Sequence, residues 1–144
     1  MKAVIQRVSR ATVRSGDLAA TIGPGLLVLV GLESDDTEDT CDWAAAKIAG
    51  LRIFEDDGGR MNLGLAEVGG EILAVSQFTL AGSIARGRRP SFDGAMAPEA
   101  ARVLFRKFLD RLRAHHPRVH SGFFQEHMEV ELVNDGPVTF ILER

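Results

Sequence analysis

Three polar residues, Ser76, Gln77 and Thr79, interrupt the apolar segment "AVSQFTLAG" and are the strongest candidates for chemistry in this sequence. A buried hydroxyl or amide without a hydrogen-bonding partner costs about 1–3 kcal/mol. If a strand spans 70–82 without a break, Gln77 and Thr79 share one face and Ser76 lies on the other. The segment therefore predicts either a strand end that lines a ligand pocket or a strand end that emerges into solvent.

The second candidate is Gly136–Pro137, within "LVNDGPVTFIL" at 132–142. The apolar residues on both sides predict two strands joined by a tight turn, although proline removes an N–H group from strand pairing. Two interpretations remain open at this point. The turn either has no ligand, or it presents backbone atoms to one.

Other catalytic motifs are absent: the sequence has no G-x-S-x-G, P-loop, G-x-G-x-x-G or H-E-x-x-H pattern. His115 and His116 are adjacent at a helix end, and His120 and His127 are separate, so neither a metal site nor a cofactor is expected. Cys41 is the only cysteine, which excludes an internal disulfide and is typical of a reducing compartment. We expect it to be a small packed residue on a helix.

Positive charge is concentrated in one segment of a chain whose net charge is -3. Residues 84–118 carry nine Lys or Arg against three acids, whereas residues 31–71 carry three against eleven. This distribution favours a local contact with phosphate over a broad nucleic-acid surface. The alternative is the solvated face of a helix.

Two helices are predicted by the spacing of apolar residues. One spans 37–50 and is expected to turn Trp43, Ala46 and either Ala49 or Gly50 inward. The other spans 98–116 and has an apolar stripe. The residues of this stripe are Ala101, Leu104, Phe105, Phe108 and Leu112.

The predicted fold class is α+β, with a curved, partly closed and mostly antiparallel sheet or barrel on which both helices pack. Seven or more strands are expected, and the last three, in 119–142, are expected to be antiparallel neighbours. A chain of 144 residues predicts a single domain, 1–144. No window is long and apolar enough to span a membrane, and the polar N-terminal segment does not resemble a signal peptide.

The motifs "SQFTL" at 76–80 and "NDGPVTF" at 134–140 resemble the two signatures of the D-aminoacyl-tRNA deacylases, also called D-tyrosyl-tRNA deacylases. Shorter matches follow the family's order and extend the resemblance to essentially the whole chain. They are "IQRV" at 5–8, "RIF" at 52–54, "MN" at 61–62, "RGRRPSF" at 86–92 and "SGFF" at 121–124.

The resemblance implies a cytoplasmic homodimer that hydrolyses the ester of D-aminoacyl-tRNA, and of glycine mischarged on tRNA, while sparing L-aminoacyl-tRNA. It implies that Gly136 and Pro137, joined by a cis peptide bond, reach into the partner subunit's pocket and exclude L residues. Arg7 matches the arginine that fixes this turn, and Met128 matches a methionine of the pocket.

The same resemblance implies that residues 76–79 line the pocket, which adds Phe78 to the polar residues above. Thr79, with Ser76 beside it, matches the family's candidate nucleophile. The alternative is attack by water assisted by the ribose 2′-OH, with backbone N–H groups near Phe78 and Thr79 binding the oxyanion. The basic residues Arg86, Arg88 and Arg89 become candidate contacts for the tRNA acceptor end.

Two other functions remain possible from the sequence. One is a non-catalytic RNA-binding module that binds aminoacyl-tRNA without releasing the amino acid. The other is a hydrolase of small D-amino acid esters or peptides that has no RNA partner. The absence of an evident catalytic base keeps the first of these open, and the basic loop argues mildly against the second.

Overall fold

The structure is a computed structural model that describes residues 1–144. Its two helices are α1 (Glu38–Ala49) and α2 (Pro98–His115), and a single 3-10 turn spans Phe78–Ala81. Its eight strands are β1 (Lys2–Ser15), β2 (Leu18–Ile22), β3 (Gly25–Gly31), β4 (Phe54–Glu55), β5 (Met61–Leu63), β6 (Glu71–Ser76), β7 (Val119–Ser121) and β8 (Glu129–Glu143).

The main sheet has six strands and is organised by β1, which pairs with three of the others. β1 is antiparallel to β2, β3 and β8, whereas β3, β6 and β7 run parallel to one another. The result is a mixed sheet nearly closed into a barrel, and β4 and β5 form a separate small sheet. The predicted α+β class, with two helices on a partly closed sheet, is confirmed.

Helix α2 packs on the main core as its apolar spacing predicts. The five residues of the predicted stripe are all buried, and Phe108 is fully inaccessible to solvent. Pro98 occupies the first turn, where its missing N–H group costs nothing. The start of α2 is therefore fixed, and this matters because Pro98 and Ala101 line the cavity described below.

Helix α1 forms where predicted, but its inward face is different. Cys41 is fully buried, whereas Trp43 is partly exposed and lies 5.2 Å from the Arg144 guanidinium. The predicted inward positions of Trp43 and Ala46 are wrong, because the small residues of this helix allow several faces to pack. The residues that do pack inward are Cys41, Ala44, Ala45 and Ile48.

The predicted strand of 70–82 is shorter than expected. β6 ends at Ser76, and the chain then turns into the 3-10 helix, so side chains do not alternate beyond that point. Within this turn, Gln77 Nε2 donates a hydrogen bond to Thr79 Oγ1 at 2.5 Å.

The C-terminal prediction of three antiparallel strands is also wrong. β7 runs parallel to β6, and residues 129–143 form the single strand β8 rather than two strands around a turn. Both halves of β8 pair with β1 in the same direction. Alternating apolar residues on either side of Gly136–Pro137 fit a reversal and a bulge equally well, so the pattern could not distinguish them.

Neither helix is both long enough and apolar enough to cross a membrane. The structure also has no group of three or more His, Cys, Asp or Glu side chains placed to hold a metal ion.

Candidate active site

A cavity of about 450 Å³ opens where β6 ends, between the start of α2 and the loop that precedes β8. Most of its lining is apolar, which is typical of a small-molecule site with a few polar groups. The residues that line it are Leu32, Val75, Ser76, Gln77, Phe78, Met96, Pro98, Ala101, Phe124, Gln125, Glu126, His127, Met128 and Val130.

The polar end of β6 is held at the cavity by close packing against β3. Gln77 N–H donates to Val30 O at 2.7 Å, which ends the parallel ladder. A Cβ atom on Gly31 would lie 2.8 Å from Leu80 Cβ and 2.9 Å from Gln77 O. Only glycine at 31 therefore lets the 3-10 helix sit directly on β3, and this packing places Ser76, Gln77 and Phe78 in the cavity wall.

Thr79 is exposed and is not among the residues that line the cavity. Its hydroxyl contacts the amide of Gln77, and no imidazole or carboxylate bonds to it. Its backbone N–H and that of Phe78 belong to the first turn of the 3-10 helix, where N–H groups have no acceptor within the helix. These two N–H groups, rather than the hydroxyl, are therefore the candidates for binding an oxyanion.

The opposite wall comes from the loop 122–128, in which only Met128 was predicted to line a pocket. Gln125 has φ 67°, an uncommon conformation for a residue other than glycine. Arg102 on α2 donates to Gln125 Oε1 at 2.8 Å and lies 4.8 Å from the centroid of the Phe124 ring. Arg102 thus ties this wall to α2. The Gln125 backbone could not be foreseen, because no composition signal marks a left-handed glutamine.

Met128 is the one residue of that wall to which the family resemblance assigned a place in the pocket. It lines the cavity, and its sulfur accepts from the N–H of Phe123 at 3.3 Å. A Cβ atom on Gly122 would lie 3.1 Å from the same sulfur, so glycine at 122 allows this close contact.

Gly136 and Pro137 are exposed, are joined by a cis peptide bond, and do not line the cavity of their own chain. They lie in a bulge of β8. Val8 pairs with Asn134 and Gln6 pairs with Thr139, so the four residues 135–138 stand opposite Arg7 alone. We call residues 135–138 the bulge. Within one chain, the structure does not bring the bulge and the cavity together.

Arg7 anchors the bulge from within the protein. Its side chain is buried, and Nε donates to Asp135 O at 2.9 Å while Nη1 donates to Ile53 O at 2.7 Å. Its guanidinium also forms ion pairs with the carboxylates of Glu55 at 3.4 Å and Asp135 at 3.2 Å. A buried arginine with this many acceptors is well satisfied, and it connects the bulge to β4.

The basic loop 83–92 leaves the protein beside the 3-10 helix. An antiparallel bridge between Ser83 and Ser91 closes its base, and Arg86, Arg88 and Arg89 are all exposed. The ring of Phe92 lies 5.1 Å from that of Phe78. Exposed arginines next to a pair of aromatic rings at the edge of a cavity are suited to single-stranded nucleic acid.

Cys41 is excluded as a nucleophile. Burial raises the pKa of its thiol to about 12, and the nearby carboxylates of Asp36 and Asp42 act in the same direction. The thiol is therefore neutral at physiological pH, and it lies in the core between the helices, where it donates to Leu104 O.

Comparison with known proteins identifies the family. Residues 4–143 match the family model described as D-Tyr-tRNA(Tyr) deacylase. The chain belongs to this family. A D-aminoacyl-tRNA deacylase of Geobacter sulfurreducens is 58% identical over 144 residues, which cover 99% of this chain and 95% of the relative. Another, of Symbiobacterium thermophilum, is 55% identical with the same coverage.

Two solved structures have the same fold as this chain. A structure of the c-Myc DNA Unwinding Element Binding Protein superposes with a TM-score of 0.93 and 40% identity, covering 100% of this chain and 99% of that one. A probable eukaryotic D-amino acid tRNA deacylase, 19% identical, superposes with a TM-score of 0.87. The family predicted from the two signature motifs is confirmed, and so is the class of enzyme that its name describes.

Proposed function

We propose that the chain, as one domain spanning 1–144, hydrolyses the ester bond of D-aminoacyl-tRNA and of glycine mischarged on tRNA. Free amino acid and tRNA are the products, and the cytoplasm is where such a substrate occurs. Membership of the deacylase family over residues 4–143 is the observation that carries this proposal. The cavity at the end of β6 is of a size to hold an amino acid and part of the terminal nucleoside.

The chemical step is assigned to water and to backbone donors. An ester is already activated, and the N–H groups of Phe78 and Thr79 stabilise the oxyanion that forms as water attacks its carbonyl. The ribose 2′-OH next to the ester assists the attack. Thr79 does not act as nucleophile, because its hydroxyl contacts only the Gln77 amide and has no base beside it. Ser76 and Gln77 orient the bound group.

Rejection of L residues is assigned to Gly136 and Pro137. Their backbone oxygens accept from the α-ammonium group and occupy the space that an L side chain would need. A D residue places its α-hydrogen in that space and therefore fits. Glycine has no side chain that could clash, so it is accepted as well. Specificity of this kind arises from a clash with the wrong substrate rather than from recognition of the right side chain.

We call the backbone of Gly136 and Pro137 the filter, and this filter can act only in the cavity of a second subunit. Gly136 and Pro137 are exposed and do not line the cavity of their own chain, whereas the bulge that carries them is firmly anchored through Arg7. We therefore infer a homodimer in which the bulge of one subunit enters the cavity of the other. Mixing a Phe78→Ala subunit with a Pro137→Ala subunit should restore one intact site per heterodimer, whereas the unmixed variants stay impaired.

Contact with the tRNA acceptor end is assigned to the loop 83–92. Arg86, Arg88 and Arg89 bind phosphate, and the exposed rings of Phe78 and Phe92 offer a stacking surface for an unpaired base.

The decisive experiment measures amino-acid release from matched D- and L-aminoacyl-tRNA, with glycyl-tRNA and a small D-amino acid ester alongside. We expect release from the D and glycine substrates only, with the small ester cleaved far more slowly. Binding of aminoacyl-tRNA without release would instead indicate an RNA-binding module. Rapid cleavage of the small ester, with no preference for tRNA, would indicate a hydrolase without an RNA partner.

A further inference from the structure

A side chain beside Gly136 and Pro137 has no role in the function proposed above. Asn134 is the last residue of β8 that pairs with β1 before the bulge. Its Nδ2 group donates two hydrogen bonds, to Arg7 O at 2.9 Å and to Val138 O at 3.1 Å. Arg7 is the one β1 residue opposite the bulge, and Val138 is the last residue of the bulge.

These two bonds close the bulge across its base. Asn134 precedes the bulge and Val138 ends it. The amide nitrogen of Asn134 bonds the carbonyl oxygen of Val138 and also that of Arg7 on β1, so both ends of the bulge are held beside Arg7. Arg7 completes the exchange, because its own side chain donates to Asp135 O within the bulge. The Asn134 side chain thus bonds the backbone of Arg7, and the Arg7 side chain bonds the backbone of the next residue, Asp135, where the regular strand ladder is interrupted.

The other end of the Asn134 amide fills the space beneath Gly136. A Cβ atom on Gly136 would lie 2.6 Å from Asn134 Oδ1 and 2.6 Å from Val138 N, closer than side chains approach. The Gly136 backbone therefore rests directly on the Asn134 amide. An amide fits both contacts at once, since it presents donors to the two carbonyls on one side and only its oxygen toward the glycine.

We propose that Asn134 is a positioning residue for discrimination between D and L substrates. Its hydrogen bonds fix the position and orientation of the Gly136–Pro137 backbone relative to β1. The backbone oxygens of these two residues are therefore held at a constant place relative to the bound substrate. This inference rests on the proposed function, in which that backbone does the sorting. Asn134 itself touches no reacting atom.

The test uses the isosteric substitution Asn134→Asp, which replaces the two donors by a carboxylate oxygen facing two carbonyl groups. We expect the ratio of D to L deacylation rates to fall by about tenfold or more, since the two hydrogen bonds that Asn134 donates are removed together. The matched control is Glu131→Gln, an exchange between carboxylate and amide on the same strand. It removes only an exposed ion pair with Arg14, and the ratio should stay unchanged.

A second variant and a second measurement keep the result clear if Asn134→Asp fails to fold. Asn134→Ala removes the donors without adding charge and should lower the ratio in the same direction. In the unmodified protein, the side-chain NH₂ protons of Asn134 should exchange with solvent at least about tenfold more slowly than those of Asn62, the only other asparagine. Equal exchange rates, or an unchanged D-to-L ratio in a folded Asn134 variant, would overturn the inference.

The outcome separates this inference from the function on which it rests. A wild-type protein that does not discriminate D from L contradicts the proposed function itself. A wild-type protein that discriminates, beside an Asn134→Asp variant that discriminates equally well, contradicts the positioning role alone.

Discussion

At the scale of single residues, the sequence indicated most of one wall of the candidate site and little of the other. Ser76 and Gln77 are visible without a structure as polar residues in an apolar run, and the family motifs add Phe78 and Met128. Gln125 and its neighbours are drawn into the cavity wall from a distant loop, and nothing in their types signals it. Local chemistry was therefore predictable, whereas contacts between distant segments were not.

Thr79 provides the first prediction at this scale. Thr79→Ala should lower the rate of deacylation by less than about tenfold, because it removes one hydrogen bond and no reacting atom. A single-turnover assay on D-aminoacyl-tRNA measures this directly. Loss of a true nucleophile lowers turnover by several orders of magnitude, and a drop of that size would restore the threonine mechanism.

Cys41 provides the second prediction at the residue scale. Burial raises its thiol pKa to about 12, so the fold favours the protonated form. A raised pKa contributes stability that is fully present below the pKa of the unfolded chain and is lost as the pH rises through the folded value. At pH 8 a thiol reagent should label the native protein far more slowly than the urea-unfolded chain. Equal labelling rates would show that the thiol is accessible.

At the scale of elements, amphipathic helices were predicted well and strand connections were not. The spacing of apolar residues in α2 identifies one buried face, because the remaining positions are mostly charged. In α1 the many alanines fit either a buried or an exposed position, so the sequence did not determine which face of the helix packs inward. β8 was predicted as two strands because alternation reports which residues face the core and carries no information on direction. The bulge is therefore a feature that only the structure supplies.

Helix α2 carries the prediction at this scale. Phe108→Ala should lower the free energy of unfolding by about 3–5 kcal/mol, because a large ring is removed from a close-packed core. Val103→Ala is the matched control on the same helix, since Val103 is 55% exposed, and should change stability by less than about 0.5 kcal/mol. Denaturant unfolding measures both. Similar losses of stability in the two variants would contradict the burial of Phe108 in the core.

At the scale of the whole molecule, positive charge is distributed unevenly along the chain. The net charge is -3, yet the loop 83–92, which follows the 3-10 helix, carries three exposed arginines. A protein that wrapped nucleic acid would need positive charge over a large surface. The small basic surface of this chain is consistent with the contact to the tRNA acceptor end proposed above.

The salt dependence of tRNA binding tests this arrangement. Replacing Arg86, Arg88 and Arg89 by alanine should weaken binding and reduce the slope of log K against log salt by about 1 for each phosphate group that the variant no longer binds. Arg113 lies about 22 Å along α2 from the cavity end of the helix, and Arg113→Ala should leave the slope unchanged. A wild-type affinity that does not change with salt would contradict the assignment.

The position of the bulge also bears on how the protein stays in solution. β8 pairs only with β1, so its other side is a 15-residue sheet edge that could template growth of a fibre. The bulge breaks that edge near its middle, Pro137 removes a donor from it, and Glu129, Glu131, Asp135 and Glu143 add negative charge along it. The interruption assigned to substrate selection therefore also protects the chain against open-ended strand addition.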